Sequence, residues 1–211
     1  MKRHERQERE RDERRKAILD AAGQIASEEG LERLSIRKIA ERIEYSPGII
    51  YHYFSGKEAI VEQLLQQDYQ QFVSDLRAEG AKETRPERVF EQTMRHFIET
   101  SLADGSRYRN IMLNESPSVL SQTAVLFRGA SEQRAAIGML CGILRDFENM
   151  RDKEDSEIER TAQIIWSAAF GLILRLTVEK EIPAEQKEKL IDTYIALMLA
   201  AAKDLPGGSS Q

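Results

Sequence analysis

The side chains that could act as nucleophiles, proton carriers or soft metal ligands are few: His4, His52, His96 and the single Cys141. None stands at metal-ligand spacing from another, and the chain carries no glycine-rich phosphate loop and no nucleophile elbow. The expectation is no catalytic residue, no metal and no cofactor, so the chain does not read as an enzyme. Cys141, between Leu140 and Gly142, reads as a small buried hydrophobe rather than a thiol sensor. A different chemistry is offered by "YSPGIIYHYFSGKE", Tyr45–Glu58. Successive side chains of a helix point about 100° apart, so Tyr51, His52 and Tyr53 cannot all lie on one buried face. Some of them must face outward, and exposed rings in a row call for a binding partner.

Two short helices have to hold that stretch. Ser35 stands as an N-cap ahead of Ile36, Ile39, Ala40 and Ile43 on one face, with Arg37, Lys38, Glu41 and Arg42 on the other. After Glu44 and Tyr45, Ser46 is an N-cap and Pro47 the first helical residue, where its missing N–H costs nothing, giving a helix through about Phe54. A preceding helix, Arg14 to Glu29, presents Ile18, Ala22, Ile25 and Ala26 at helical spacing and ends at Gly30. Two short helices joined by a tight turn make a helix-turn-helix. Ile39, Ala40, Ile43, Ile50 and Phe54 then point inward, while Arg37, Gly48, Ile49, Tyr51, His52 and Tyr53 are left on or near the outer surface. In such motifs the start of the second helix enters the major groove of DNA and neighbouring groups anchor to phosphates.

Leu34 to Leu65 resembles the DNA-binding module of the TetR/AcrR family of bacterial transcriptional regulators. The matching residues are "LSIRKIAERI", the S-x-G-x-x-Y-H-Y-F pattern of Ser46 to Phe54, and S-x-K-E-A-I from Ser55 to Ile60. The resemblance implies that Ser35, Tyr51, Tyr53 and Lys57 hold the phosphate backbone and that Arg37, Gly48, Ile49 and His52 lie nearest the bases. Arg37 can fork onto guanine O6 and N7, Ile49 can cover a thymine methyl, and Gly48 permits close approach. Ile49 stands where many members carry Thr and Pro47 where many carry Lys, which removes polar contacts.

Around this module the remaining chain is helical. Residues 1–13 form a charged N-terminal arm, either a helical extension or a disordered segment; it is a solvated tail or an arm that touches DNA. Residues 14–56 are the helix-turn-helix domain, 57–205 a larger helical ligand-binding and dimerisation domain, and 206–211 a flexible tail. Ser55 and Glu58 form a capping box opening a fourth helix to about Glu79. Pro86 opens a fifth to about Ala103, a short one runs to about Asn114, and a long helical region from Ser118 is interrupted or bent somewhere near Gly129. The last two, Ile158 to Lys180 and Glu185 to Lys203, are apolar nearly all round. Such helices are buried all round, which implies a homodimer closed by a four-helix bundle through Ile165, Leu172, Leu176, Tyr194, Leu197, Met198 and Ala201. The fold class is all-α.

The resemblance further implies a small-molecule pocket in the helical domain. Met94, Phe97, Ile98, Met112, Phe127, Met139, Trp166 and Phe170 are the candidates to line it, with His96, Gln163 and Arg175 as polar handles for an apolar or amphiphilic effector. The expected function is a dimeric regulator of transcription, a repressor released from double-stranded operator DNA by its effector; the alternative is a helical dimer that acts through protein partners.

The formal charge of −5 over 211 residues hides an asymmetry: residues 1–60 carry 13 Lys/Arg against 12 Asp/Glu, and residues 61–211 carry 18 against 24. The acidity sits away from the DNA-facing module, so the overall sign does not exclude nucleic acid. With one cysteine, no apolar leader and no uninterrupted apolar run as long as a membrane span, the expected location is the cytoplasm, with no membrane partner.

Overall fold

A computed structural model describes residues 2–81 and 83–204; the tail expected at 206–211 lies outside the described residues. Among those residues every regular element is helical, and the chain divides into two compact units. The first comprises Met1–Gln70 and Asn110–Thr123, the second Gln71–Arg109 and Ala124–Gln211.

In the first unit, α1 (Lys2–Glu29) is followed by a 3-10 turn (Leu31–Arg33), α2 (Ile36–Arg42) and α3 (Pro47–Tyr51). The charged arm is the first part of α1 itself, unbroken into its apolar half, so no boundary falls at residue 13. Gly30 ends α1 with φ of 90°, a conformation that glycine adopts without strain. The core joins Ile18, Ala22 and Ile25 of α1 to Leu34, Ile39, Ala40, Ile50 and Phe54. It also takes in Ile60, Val61, Leu64 and Leu65 from the first half of α4 (Lys57–Gly80) and Val119 of α7 (Pro117–Thr123). That is why the compact unit runs to Gln70 rather than stopping at the expected 56: a three-helix module alone leaves one side of this core open to water. Two ion pairs fasten α1 to α2, Lys38 Nζ to Glu29 at 2.5 Å and a two-pronged Arg42 to Glu28 at 2.7 and 3.0 Å.

The second unit is built on α5 (Pro86–Ala103), α9 (Ala135–Arg145), α10 (Asp155–Val178) and α11 (Ala184–Asp204), with α6 (Gly105–Met112) and the short α8 (Ala130–Gln133) between them in the chain. Phe97 of α5 stacks on Trp166 of α10 at 4.2 Å between ring centres, and Phe72 meets both edge-on. The interruption expected near Gly129 is an irregular stretch at 124–129, and the helical region expected from Ser118 is divided into α7, α8 and α9. The irregular stretch is held by α10: Gln163 Nε2 donates to the carbonyls of Val125 at 2.8 Å and Phe127 at 2.9 Å, while Glu159 accepts from Gly129 N at 2.8 Å. At Gly138 a Cβ would come within 2.5 Å of the Ser131 carbonyl, so the close turn of α8 against α9 needs glycine there.

By length and mean hydropathy alone α10 is long and apolar enough to cross a membrane, a test that the core helix of a globular domain also passes, although Ser167, Gly171 and Arg175 interrupt its apolar run. In this fold Ile158, Ala162, Ile165, Ala169 and Ile173 of α10 are buried within the unit, together with the polar Glu159 and Gln163.

Candidate nucleic-acid interface

The turn between α2 and α3 is a Schellman closure. Tyr45 N donates to Ala40 O at 2.9 Å and Glu44 N to Glu41 O at 3.4 Å, with Glu44 at φ 57° where glycine is favoured. Ser35 caps α2, its Oγ accepting from Lys38 N at 3.3 Å. Ser46 precedes α3 with Pro47 in the first turn, but its side chain makes no cap hydrogen bond. The helix is shorter than expected, ending at Tyr51 with His52 as its C-cap and Tyr53 and Phe54 N–H both closing onto Ile50 O. Likewise α4 begins at Lys57, one residue later than a cap at Ser55 requires, and the Glu58 carboxylate turns back over Gly56.

This framework sorts the residues expected to meet DNA. Gly48 and His52 are exposed, Ile49 is half-buried, and Tyr51 is 58% exposed with an apolar ring in water. Arg37 points outward, its Nε held to Glu41 by a solvent-exposed i,i+4 pair at 2.8 Å. Exposed pairs of this kind are weak because water and salt screen them, so the guanidinium is readily released. Tyr53 is half-buried against the core and Ser35 is half-buried at its cap. Lys57 Nζ donates to Glu32 O at 3.1 Å, an exposed contact that ties the start of α4 to the 3-10 turn. Sequence reasoning passed over Arg14 and Arg15. Arg15 lies 4.4 Å over the Phe54 ring and donates to Tyr53 O and Gln63 Oε1; Arg14 pairs with the Tyr53 side chain, which raises its pKa. The signal was the helical register: both follow the charged run directly onto the apolar face of α1.

In the second unit, the residues expected to line a ligand site divide. Met94, Phe97, Ile98 and Trp166 are buried; Phe127, Met139 and Phe170 are half-buried. Met112 is half-buried and falls in the first unit. Gln163 is not a free handle, since the two carbonyls of the irregular stretch occupy its amide. Sequence reasoning missed Tyr108, whose ring neighbours Phe97 and Phe170 and whose buried hydroxyl has no hydrogen-bond partner among the described residues; burial pushes it above the ordinary phenol range. Of the residues expected at a dimer face, Ile165, Leu176 and Tyr194 are corrected: they are buried in their own unit, and Tyr194 OH donates to Ile165 O at 2.6 Å. Leu172 and Met198 are half-buried, whereas Leu197 and Ala201 are exposed, as are Ile164, Gly171, Ala196 and Ala200. Counting directions around a helix places these outward residues one position away from the buried ones.

Among the described residues no group of three or more His, Cys, Asp or Glu could hold a metal. Burial pushes the Cys141 thiol up to about 11, with the Glu159 carboxylate adding to the effect, so it is not a thiolate at neutral pH.

Residues 18–64 match the family model of bacterial regulatory proteins of the tetR family. That segment carries the family's N-terminal domain. Among curated relatives, this chain is 36% identical over 63 residues to the HTH-type transcriptional regulator UidR of Escherichia coli (strain K12), covering 30% of this chain and 32% of that one. It is 40% identical over 58 residues to the HTH-type transcriptional repressor KstR of Mycolicibacterium smegmatis, 28% of each chain. The chain thus spans about a third of the length of the curated relatives it matches. Over nearly the whole chain the likeness is one of fold. A TetR-family regulator of Syntrophomonas wolfei shares a TM-score of 0.67 at 21% identity, covering 92% of this chain and 97% of the other. FadR of Bacillus subtilis in complex with stearoyl-CoA gives 0.66 at 16%, covering 87% and 97%. FadR of Thermus thermophilus in complex with lauroyl-CoA gives 0.60 at 18%, covering 93% and 98%.

Proposed function

We propose that the chain is a cytoplasmic, homodimeric repressor that binds double-stranded operator DNA and leaves it when the helical unit takes up a small apolar or amphiphilic effector. The observation that carries the DNA half is the outward rim of α3: Gly48, Tyr51 and His52 exposed, on a helix whose Ile50 is fully buried beneath them. Arg37, Gly48, Ile49 and His52 face bases in this reading; Ser35, Tyr51, Tyr53 and Lys57 serve the phosphates, with Lys57 exchanging the Glu32 carbonyl for a phosphate oxygen. Two copies place their α3 helices in successive major grooves, about 34–36 Å apart.

The effector half is supported by the Phe72, Phe97, Trp166 and Phe170 rings gathered near the unpartnered Tyr108 hydroxyl, an apolar surrounding with one polar anchor. The FadR neighbours hold long-chain acyl-CoA, which makes acyl thioesters the first class to try. A ligand that prefers a dimer with its motifs differently spaced weakens DNA binding by its differential affinity, and DNA weakens ligand binding equally.

The test is a titration of the purified protein against its own upstream DNA at two salt concentrations, with and without acyl-CoA. Affinity is expected to fall steeply with salt and to fall again with effector. Salt-independent or absent binding leaves the protein-partner dimer as the reading to pursue.

A further inference from the structure

The first turns of α1 overhang the helix-turn-helix core. Along one face of this helix run Gln7, Glu10, Arg11 and Arg14, and the same face continues as Ile18, Ala22 and Ile25, all buried. The stripe that points at the core is therefore apolar where there is core beneath it and cationic where there is none. Opposite the cationic part stand His52 and Tyr53, at the end of α3. Together these six residues line an open groove of about 240 Å³.

Within the groove Arg14 is held beside the Tyr53 side chain, and next to it Arg15 anchors α1 through the Phe54 ring and the Tyr53 carbonyl. The one acid in the groove, Glu10, is engaged by Arg6 Nε at 2.9 Å and also acts on Arg14, so with Arg11 and Arg14 the lining keeps a net positive charge. Because His52 closes α3, the groove lies directly beside the DNA-facing rim, and a duplex seated on that rim brings its backbone past Arg11 and Arg14.

We infer that the start of α1 is a third DNA-contacting element, in which Arg11 and Arg14 grip a backbone phosphate beside the recognition helix with His52 as the opposite wall. The inference rests on the DNA reading above. A phosphate contact of this kind sets register and strength but reads no bases. Its signature is salt dependence: each phosphate released lowers the slope of log affinity against log salt by about 0.9.

The experiment uses the full chain and fluorescently labelled upstream DNA, titrated over a range of salt, with a mutated duplex alongside. In R11Q/R14Q the slope is expected to be shallower by about 1.8 for a dimer, two phosphates at about 0.9 each. Discrimination between the native and mutated duplex should be unchanged. R9Q/K16Q removes the same charge from the opposite, exposed face of α1 and should keep the wild-type slope; R11K/R14K should keep it too. Equal flattening by both glutamine pairs, or none in R11Q/R14Q, overturns the groove site while leaving the DNA reading intact. A wild-type protein that binds no duplex overturns both.

Discussion

Glu159 is the side chain on which the irregular stretch at 124–129 and α8 depend most directly. It is 6% exposed and accepts three bonds: Gly129 N at 2.8 Å on one oxygen, Ser131 N at 2.8 Å and Ser131 Oγ at 2.5 Å on the other. The Ser131 hydroxyl first, then the backbone amides, hold its carboxyl below the usual range. A depressed folded-state value means that the stabilisation is complete above the unfolded carboxyl range, near 4.5, and is lost as pH falls through the folded value. Glu159→Gln sets an amide N–H against backbone N–H donors and should cost about 1–3 kcal/mol at neutral pH. Its unfolding free energy should also fall less than the wild type's on acidification. Chemical denaturation at several pH values reads both. Glu83, held down to about 2 by Arg85 and the Thr84 and Arg85 amides, also titrates on acidification, and the mutant-minus-wild-type difference separates the two. In the proposed DNA reading Arg37 faces a base: Arg37→Gln frees Glu41, and loss of a bidentate base contact should weaken operator binding by about 5–150-fold and relax preference at one base pair. Binding to a panel of single-base operator variants is the measurement.

At the scale of elements, the α2–α3 turn carries a local conflict. Glu44 occupies a left-handed position that costs a side-chain-bearing residue roughly 1–2 kcal/mol, yet the Schellman bonds around it are made. Glu44→Gly relieves that conformation and adds chain freedom to the unfolded state, so the net expected gain is about 0.5–1 kcal/mol, read as a higher melting temperature. The helix-turn-helix was legible in sequence because its signals are local: the Ser35 cap, Pro47 in the first turn of α3, and an apolar spacing that put Ile39, Ala40, Ile50 and Phe54 in the core. The stretch at 124–129 was legible only as an interruption or bend near Gly129, not in its extent or its cause. No proline interrupts it, and the groups that satisfy its backbone, Gln163 and Glu159, lie about 30 or more residues away on α10. Arg134 shows the same, its Nε donating to Ala124 O at 3.0 Å. Periodicity cannot report a break whose cause is a distant side chain. The outward rim of α3 was legible for the opposite reason, since three consecutive large side chains cannot share one face.

For the whole molecule the decisive question is what covers the outward faces of α10 and α11. Along α10, Ile164 and Gly171 are exposed with Ala168 half-buried between them, and along α11 Ala196, Leu197, Ala200 and Ala201 are exposed. Ile164 is 67% and Leu197 59% exposed, large side chains on stripes otherwise made of small ones. Small residues let two helices approach closely while the isoleucine and leucine fill the gaps, which is how a second copy of the same face would fit in the proposed dimer. Leu197→Asp places a charge on that face without touching the unit's own core, so the monomer should melt close to the wild-type temperature. Sedimentation should show the dimer replaced by monomer at concentrations where wild type is paired. With only one motif left to engage, operator affinity should fall by about 10²–10⁴-fold, and the salt slope by about half, because each protomer contributes its own phosphate contacts. A Leu197→Asp protein that stays dimeric and keeps its affinity would place the partner surface elsewhere on the second unit.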